Sequence, residues 1–163
     1  MPNSNPSSMP LSPRRPLLSR LLLAIAAFAF IGFADSAYLT ADHYIALPLP
    51  CTVTHGCETV LTSIYSMVGP IPLAVFGVAF YLALMFFALY LYTSDLVSHR
   101  GALMLFGITS IGFGMSVIFE LMQAFLIHAF CQYCALQALC ATVAFICAIA
   151  LVRITKQAPS LSS

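Results

Sequence analysis

What this chain has least of is charge. Only 7% of its 163 residues are Asp, Glu, Lys or Arg, against roughly 25% in an ordinary soluble domain. With 61% hydrophobic residues besides, it cannot clothe itself in a wet polar surface, which excludes a soluble globular domain and points to an integral membrane protein. A basic cluster is also missing. The formal net charge is +1, without the electrostatic footprint that nucleic-acid binding requires. Nor is there an internal repeat or a pair of interrupted spans, which weighs against a small transporter built around a polar third helix.

Four apolar stretches have the length of a membrane span, about 20 residues each. They cover roughly 16–40, 70–92, 102–128 and 133–152, so the expected fold is an all-α membrane protein, a four-transmembrane-helix bundle occupying 16–152. Residues 1–15, rich in Pro, Ser and Asn, read as a disordered cytoplasmic tail, and residues 153–163 as a second cytoplasmic tail, disordered after Lys156. Arg14, Arg15, Arg20, Arg100, Arg153 and Lys156 all fall on one side of four spans, the side that the positive-inside rule makes cytoplasmic. The outer loop, 42–69, and the start of the fourth span then share the opposite face. In a bacterial inner membrane that face is periplasmic and oxidising. The competing reading of the N-terminus is a cleaved signal peptide, Arg14-Arg15 followed by 21–33; the apolar run is longer than a usual signal core and no clean small-residue cleavage site follows it.

Against that background the cysteines stand out. Cys131-Gln132-Tyr133-Cys134 opens the fourth span, and two thiols three residues apart on a first helical turn can close or exchange a disulfide, with the helix N-terminus favouring a thiolate. Cys51 and Cys57 sit six positions apart in the outer loop, after Pro48 and Pro50, which hold the backbone extended; that spacing can close a small ring. Four cysteines on one membrane face can pass a disulfide between pairs through mixed disulfides. The alternative is a non-catalytic metal-binding membrane protein, a structural zinc site that needs all four sulfurs at once and no disulfide. Cys140 and Cys147, seven residues apart within the fourth span, read as small apolar packing residues.

The surrounding segments add detail. Val60, Leu61, Ile64 and Met67 recur at helical spacing and predict a short amphipathic interfacial helix over 58–67. Gly69-Pro70-Ile71-Pro72 is expected to admit the second span, with proline in its first turn. The third span carries Glu120 and Gln123, the acid about 10 Å inside its outer end. An acid in hydrocarbon is a functional candidate, for a proton path to a quinone, or else a protonated carboxyl bonded to a neighbouring helix. His55 and His128 flank the two cysteine pairs, where either favours a thiolate or simply sits at the interface.

The order of these parts resembles that of bacterial homologues in the vitamin K epoxide reductase family of membrane thiol oxidases. The matching pieces are Asp35-Ser36-Ala37-Tyr38-Leu39-Thr40 at the end of span one, the Cys51 and Cys57 loop, Ser63-Ile64-Tyr65-Ser66 leading into Gly69-Pro70-Ile71-Pro72 and Phe76-Gly77, and the run from Gln123 through His128 into Cys131 and Cys134. The resemblance implies a four-helix bundle around a quinone near Cys134, capped by the outer helix. It implies that Cys51 is attacked by the partner, that Cys57 shuttles to the Cys131 and Cys134 disulfide, that Cys134 faces the quinone, and that Ser63 lies beside the relay. Phe76, Glu120, Gln123 and His128, with Ser63, become the candidate lining of the quinone pocket. The chain departs from the animal pattern at Ala138, where a Tyr is expected, and at Leu73, where a quinone-binding Asn is expected. That favours ubiquinone or menaquinone over vitamin K epoxide. The thioredoxin-like domain fused in many bacterial members is expected here as a separate, DsbA-type thioredoxin-fold partner. A DsbB-type oxidase, the rival of different lineage, carries its two pairs in the reverse order.

Overall fold

The computed structural model describes residues 14–45, 56–94 and 98–157. Cys51, His55 and the two prolines before them lie outside the described residues, as does most of both expected tails.

Four helices make the body of the protein: α1, Arg14–Ile45; α3, Leu73–Thr93; α4, His99–Met122, prolonged by a π-helical turn at Gln123–Ile127; and α5, Gln132–Gln157. Each is long and apolar enough to cross a membrane, so the fold is the all-α four-helix membrane bundle. The helices are apolar all round. Phe30, Phe86, Met104 and Ile146 are exposed on the outside of the bundle while Leu22, Ile25, Leu84, Leu105 and Leu151 are buried inside it, as expected where the solvent is lipid and no polar face is needed.

α1 runs on to Ile45, through residues 42–45, expected to open the outer loop, and two further boundaries shift from the sequence expectation for identifiable reasons. Arg100 and Gly101, expected in a connector, belong to α4 because Ser98 caps it, its Oγ accepting the Gly101 N–H at 3.2 Å. Residues 153–157, expected in the tail, continue α5. Arg153 and Lys156 are good helix formers, and Lys156 lies in the last turn, where a cation faces the negative end of the helix dipole.

α1 lies along α3 and α5, and α5 lies along α4; α3 and α4 meet only sparsely. The core sits at the end of the bundle where α4 begins, with Leu22, Ile25, Leu84, Ala88, Leu105 and Leu151 packed against Cys140, Ala144 and Ala148. The small side chains of α5 admit its neighbours closely. Cys147 packs against the edge of this cluster. At the same end His99 Nδ1 lies 3.1 Å from Thr155 Oγ1, which ties α4 to α5.

The opposite end is roofed by a short outer segment: helix α2, Cys57–Leu61, a 3₁₀ turn at Ile64–Ser66, and a hairpin of β1, Met67–Val68, and β2, Ile71–Pro72. This corrects the expected helix over 58–67. Thr62, Ser63 and Ser66 turn their hydroxyls back onto Glu58 O, Val60 O and Leu61 O, each at 2.7 Å. That offers the backbone an alternative to further helix. Ile64 is consequently 82% exposed and does not continue the buried face begun by Val60. The prolines also differ from expectation. Pro70 forms the hairpin tip after Gly69, whose φ of +63° suits the first turn position, and Pro72 is the N-cap of α3, not part of its first turn. The register pairs Met67 with Pro72 and Val68 with Ile71.

Candidate active site

Cys131 stands immediately before α5. Its carbonyl accepts the Ala135 N–H at 3.0 Å and so begins the helical ladder, which puts Cys134 one turn into the helix on the same side. Both carry free thiols. A hydrogen bond from the Cys134 thiol, aided by the Tyr133 and Cys134 backbone N–H groups, outweighs burial and lowers Cys131 from its ordinary value to about 7. Cys131 is thus the sulfur of the pair that favours the thiolate.

The chain reaches Cys131 by an unusual route. The π-turn ends at His128, which is left-handed at φ 56°, and the His128 and Ala129 N–H groups both return to Gln123 O. Gln123 also holds the next residues with its side chain. Only 2% exposed, it accepts the Cys131 N–H on Oε1 at 2.8 Å. Tyr133 packs its ring against Tyr38 of α1, with centroids 5.7 Å apart.

Cys57, the first residue of α2, is wholly buried and held in a disulfide. It shares one buried cluster with Val60 and Cys131, against which Cys134, Ile127 and Tyr133 pack. Gly56 makes this approach feasible. A Cβ there would lie 2.7 Å from Phe130 O and 2.9 Å from Phe130 N, so any side chain would lift α2 off the backbone leading into Cys131. A disulfide at Cys57 is also the state that a four-cysteine zinc site excludes.

Below this cluster, where α3 and α4 part, lies a cavity of about 790 Å³. Phe76, Phe80, Ile111, Met115 and Phe119 give it apolar walls, and Cys134, Ser63, Ser116, Glu120 and Gln123 are among its other lining residues. Of the residues singled out from the sequence, Ser63, Phe76, Glu120, Gln123 and Cys134 thus meet at one cavity, and Cys57 and Cys131 meet at its head. His128 does not line it. The left-handed backbone leaves this side chain exposed, and its Nδ1 lies 3.0 Å from Ala124 O, an interaction that requires the proton on Nδ1. Cys51 lies outside the described residues.

Three residues not picked out for the site join it. Gln137 Nε2 donates to Asp35 Oδ2 at 2.9 Å, and Tyr81 donates its hydroxyl to Gln137 O at 2.7 Å. Tyr81 and Gln137 both line the cavity. The available signals were the spacing of Gln137, three residues after Cys134 on the same helix face, and the presence of an acid, Asp35, inside a span.

The model of the vitamin K epoxide reductase family matches residues 23–149, a stretch that takes in all six cysteines and most of the chain. Among curated proteins none matches.

Proposed function

From the premise that the chain belongs to the vitamin K epoxide reductase family, and so is a membrane thiol-disulfide oxidoreductase, we propose the path its electrons take. A DsbA-type thioredoxin-fold partner, itself a dithiol, reduces the Cys51 and Cys57 disulfide and leaves as a disulfide. The Cys57 thiolate then attacks Cys131 of an oxidised Cys131 and Cys134 pair, and Cys134 departs. Cys51 next attacks Cys57, re-forming the loop disulfide and releasing Cys131. Finally the Cys131 and Cys134 thiols give up two electrons and two protons, forming their own disulfide, to a quinone that becomes a quinol. Every step conserves atoms and electrons, and the net product is a disulfide in the partner.

One observation carries this reading: Cys57 and Cys131 are buried in the same small cluster at the head of the cavity that Cys134 lines. The lowered pKa of Cys131 fits the release step, since a sulfur stabilised as thiolate by its neighbour leaves more readily. Oxidised Cys57 beside reduced Cys131 and Cys134 is the combination that precedes acceptor reduction. The cavity also suits the acceptor. Its volume of about 790 Å³ is within the usual range for small-ligand sites, and apolar walls with a few polar groups suit a lipid-soluble ring. Leu73 and Ala138 replace polar groups expected for vitamin K epoxide, so ubiquinone or menaquinone is the acceptor.

The Arg and Lys residues gather at the bundle end opposite the cysteines, which supports cytoplasmic termini and a periplasmic relay in a bacterial inner membrane. The test is anaerobic mixing of the reduced, purified protein with decylubiquinone or a menaquinone analogue, following quinol absorbance and cysteine state together. One quinol per Cys131 and Cys134 disulfide is expected. Quinol formation without disulfide formation, or labelling of Cys51 and Cys131 from opposite sides by an impermeant maleimide, would overturn the proposal.

A further inference from the structure

Several polar groups lining the cavity are already engaged by the protein. Ser63 Oγ donates to Val60 O and Ser116 Oγ to Gly112 O, at 2.7 and 2.9 Å. Tyr81 gives its only hydroxyl proton to Gln137 O, and Gln123 Oε1 is taken by the Cys131 N–H, which leaves the Gln123 amide nitrogen without a partner among the described residues. Gln137 is anchored at its nitrogen instead. Its side-chain nitrogen carries two protons, of which one goes to Asp35 Oδ2; the other N–H has no partner among the described residues, on a side chain that lines the cavity.

Its surroundings show why the amide is held there. Asp35 is 8% exposed, an acid within a span, and among the described residues it has no cation beside it. Burying such a group is costly unless it is bonded, and its bond goes to Gln137. The Gln137 backbone is fixed as well, through the bond from Tyr81. One turn along α5 from Cys134, then, sits an amide clamped from α1 and α3 with one donor uncommitted.

We propose that Gln137 donates this N–H to a ring oxygen of the acceptor, and that Asp35 is its positioning residue. The inference rests on the quinone reading above and adds the group that recognises the headgroup. An amide already held by one N–H requires little further ordering when a ligand arrives. Its bond to a ring oxygen strengthens as negative charge gathers there, so it favours the reduced acceptor over the oxidised one.

The test uses the full-length, fully oxidised protein, which cannot reduce the probe, titrated with decylubiquinone carrying ¹³C at both ring carbonyls. Infrared spectra give the labelled C=O stretch and, from its growth, the Kd. In Gln137→Leu, and in Gln137→Met, which keeps the length of the side chain, binding is expected to weaken roughly fivefold. The shifted carbonyl stretch is expected to return towards its position in apolar solvent. Asp35→Asn retains an oxygen acceptor and is expected to keep both readouts; Asp35→Ala is expected to reproduce Gln137→Leu, and the double variant to be no weaker than Gln137→Leu alone. A folded Gln137→Leu or Gln137→Met protein with unchanged Kd and stretch would overturn the proposal and leave the acceptor reading intact, the Asp35 and Gln137 bond then serving only to join α1 to α5. Failure of the parent protein to bind decylubiquinone or menadione would overturn both.

Discussion

At the end of the bundle where α4 begins, packing leaves no room: Leu22, Ile25, Leu84, Leu105 and Leu151 are at most 1% exposed. At the cysteine end the same helices part around a cavity of about 790 Å³, and buried polar side chains replace leucine: Asp35, Ser36 and Gln123. The two ends divide the work. Close apolar contact at one end holds the helices together, which lets the other keep an open space, a buried acid and reactive sulfur without falling apart. The sparse contact between α3 and α4 is where this division becomes visible, because both helices line the cavity.

Four substitutions or titrations break or sharpen the contrast. The largest effect is expected for Cys134→Ala, which should abolish quinol formation while leaving the thermal midpoint of the bundle unchanged; normal turnover with a dithiol partner would remove the central step. Leu84→Ala should do the reverse. Leu84 is wholly buried, so its truncation should lower stability by about 2–5 kcal/mol, measured by denaturation in mixed micelles, with the thiolate titration of Cys131 unmoved. Gly56→Ala should slow electron passage from Cys57 to Cys131 by up to about 100-fold, as small misplacements of reacting groups do. Stopped-flow kinetics should find quinone reduction by pre-reduced Cys131 and Cys134 unaffected.

The smallest effect concerns pH. Cys131 should titrate near 7, followed by thiolate absorbance near 240 nm: protonated below, ionised above. Removing the Cys134 hydrogen bond should move the midpoint up towards the free-thiol value of about 8.5. Because the folded value lies below the unfolded one, the associated stabilisation is fully present above about 8.5 and is lost as pH falls through 7.

The division between the two ends also decided what could be read from the sequence. The four spans were legible because about 20 apolar residues in a row leave few alternatives, and the three-residue spacing of Cys131 and Cys134 at a helix start put both on one side. Helix rotation was not. Phe86 faces outward and Leu84 inward on α3, and hydropathy cannot tell them apart when lipid is as apolar as the core. For the same reason the bond between Asp35 and Gln137, joining helices far apart in the chain, could not be anticipated. Ile64 misled because its spacing fits a helical face while three nearby hydroxyls end the helix. Gln123 was picked out as a polar lining residue; that its amide also holds the Cys131 N–H depends on the turn that follows it.

That turn, Gln123–Ile127, accommodates one residue more than an α-helix would over the same rise. A relative lacking a single residue here would keep four spans of the same hydropathy and the same cysteine spacing. Its Cys131 and Cys134, however, would arrive swung by about 100° around the axis of α4, out of reach of Cys57. A one-residue deletion here is therefore expected to uncouple Cys57 from Cys131 while every compositional signature survives.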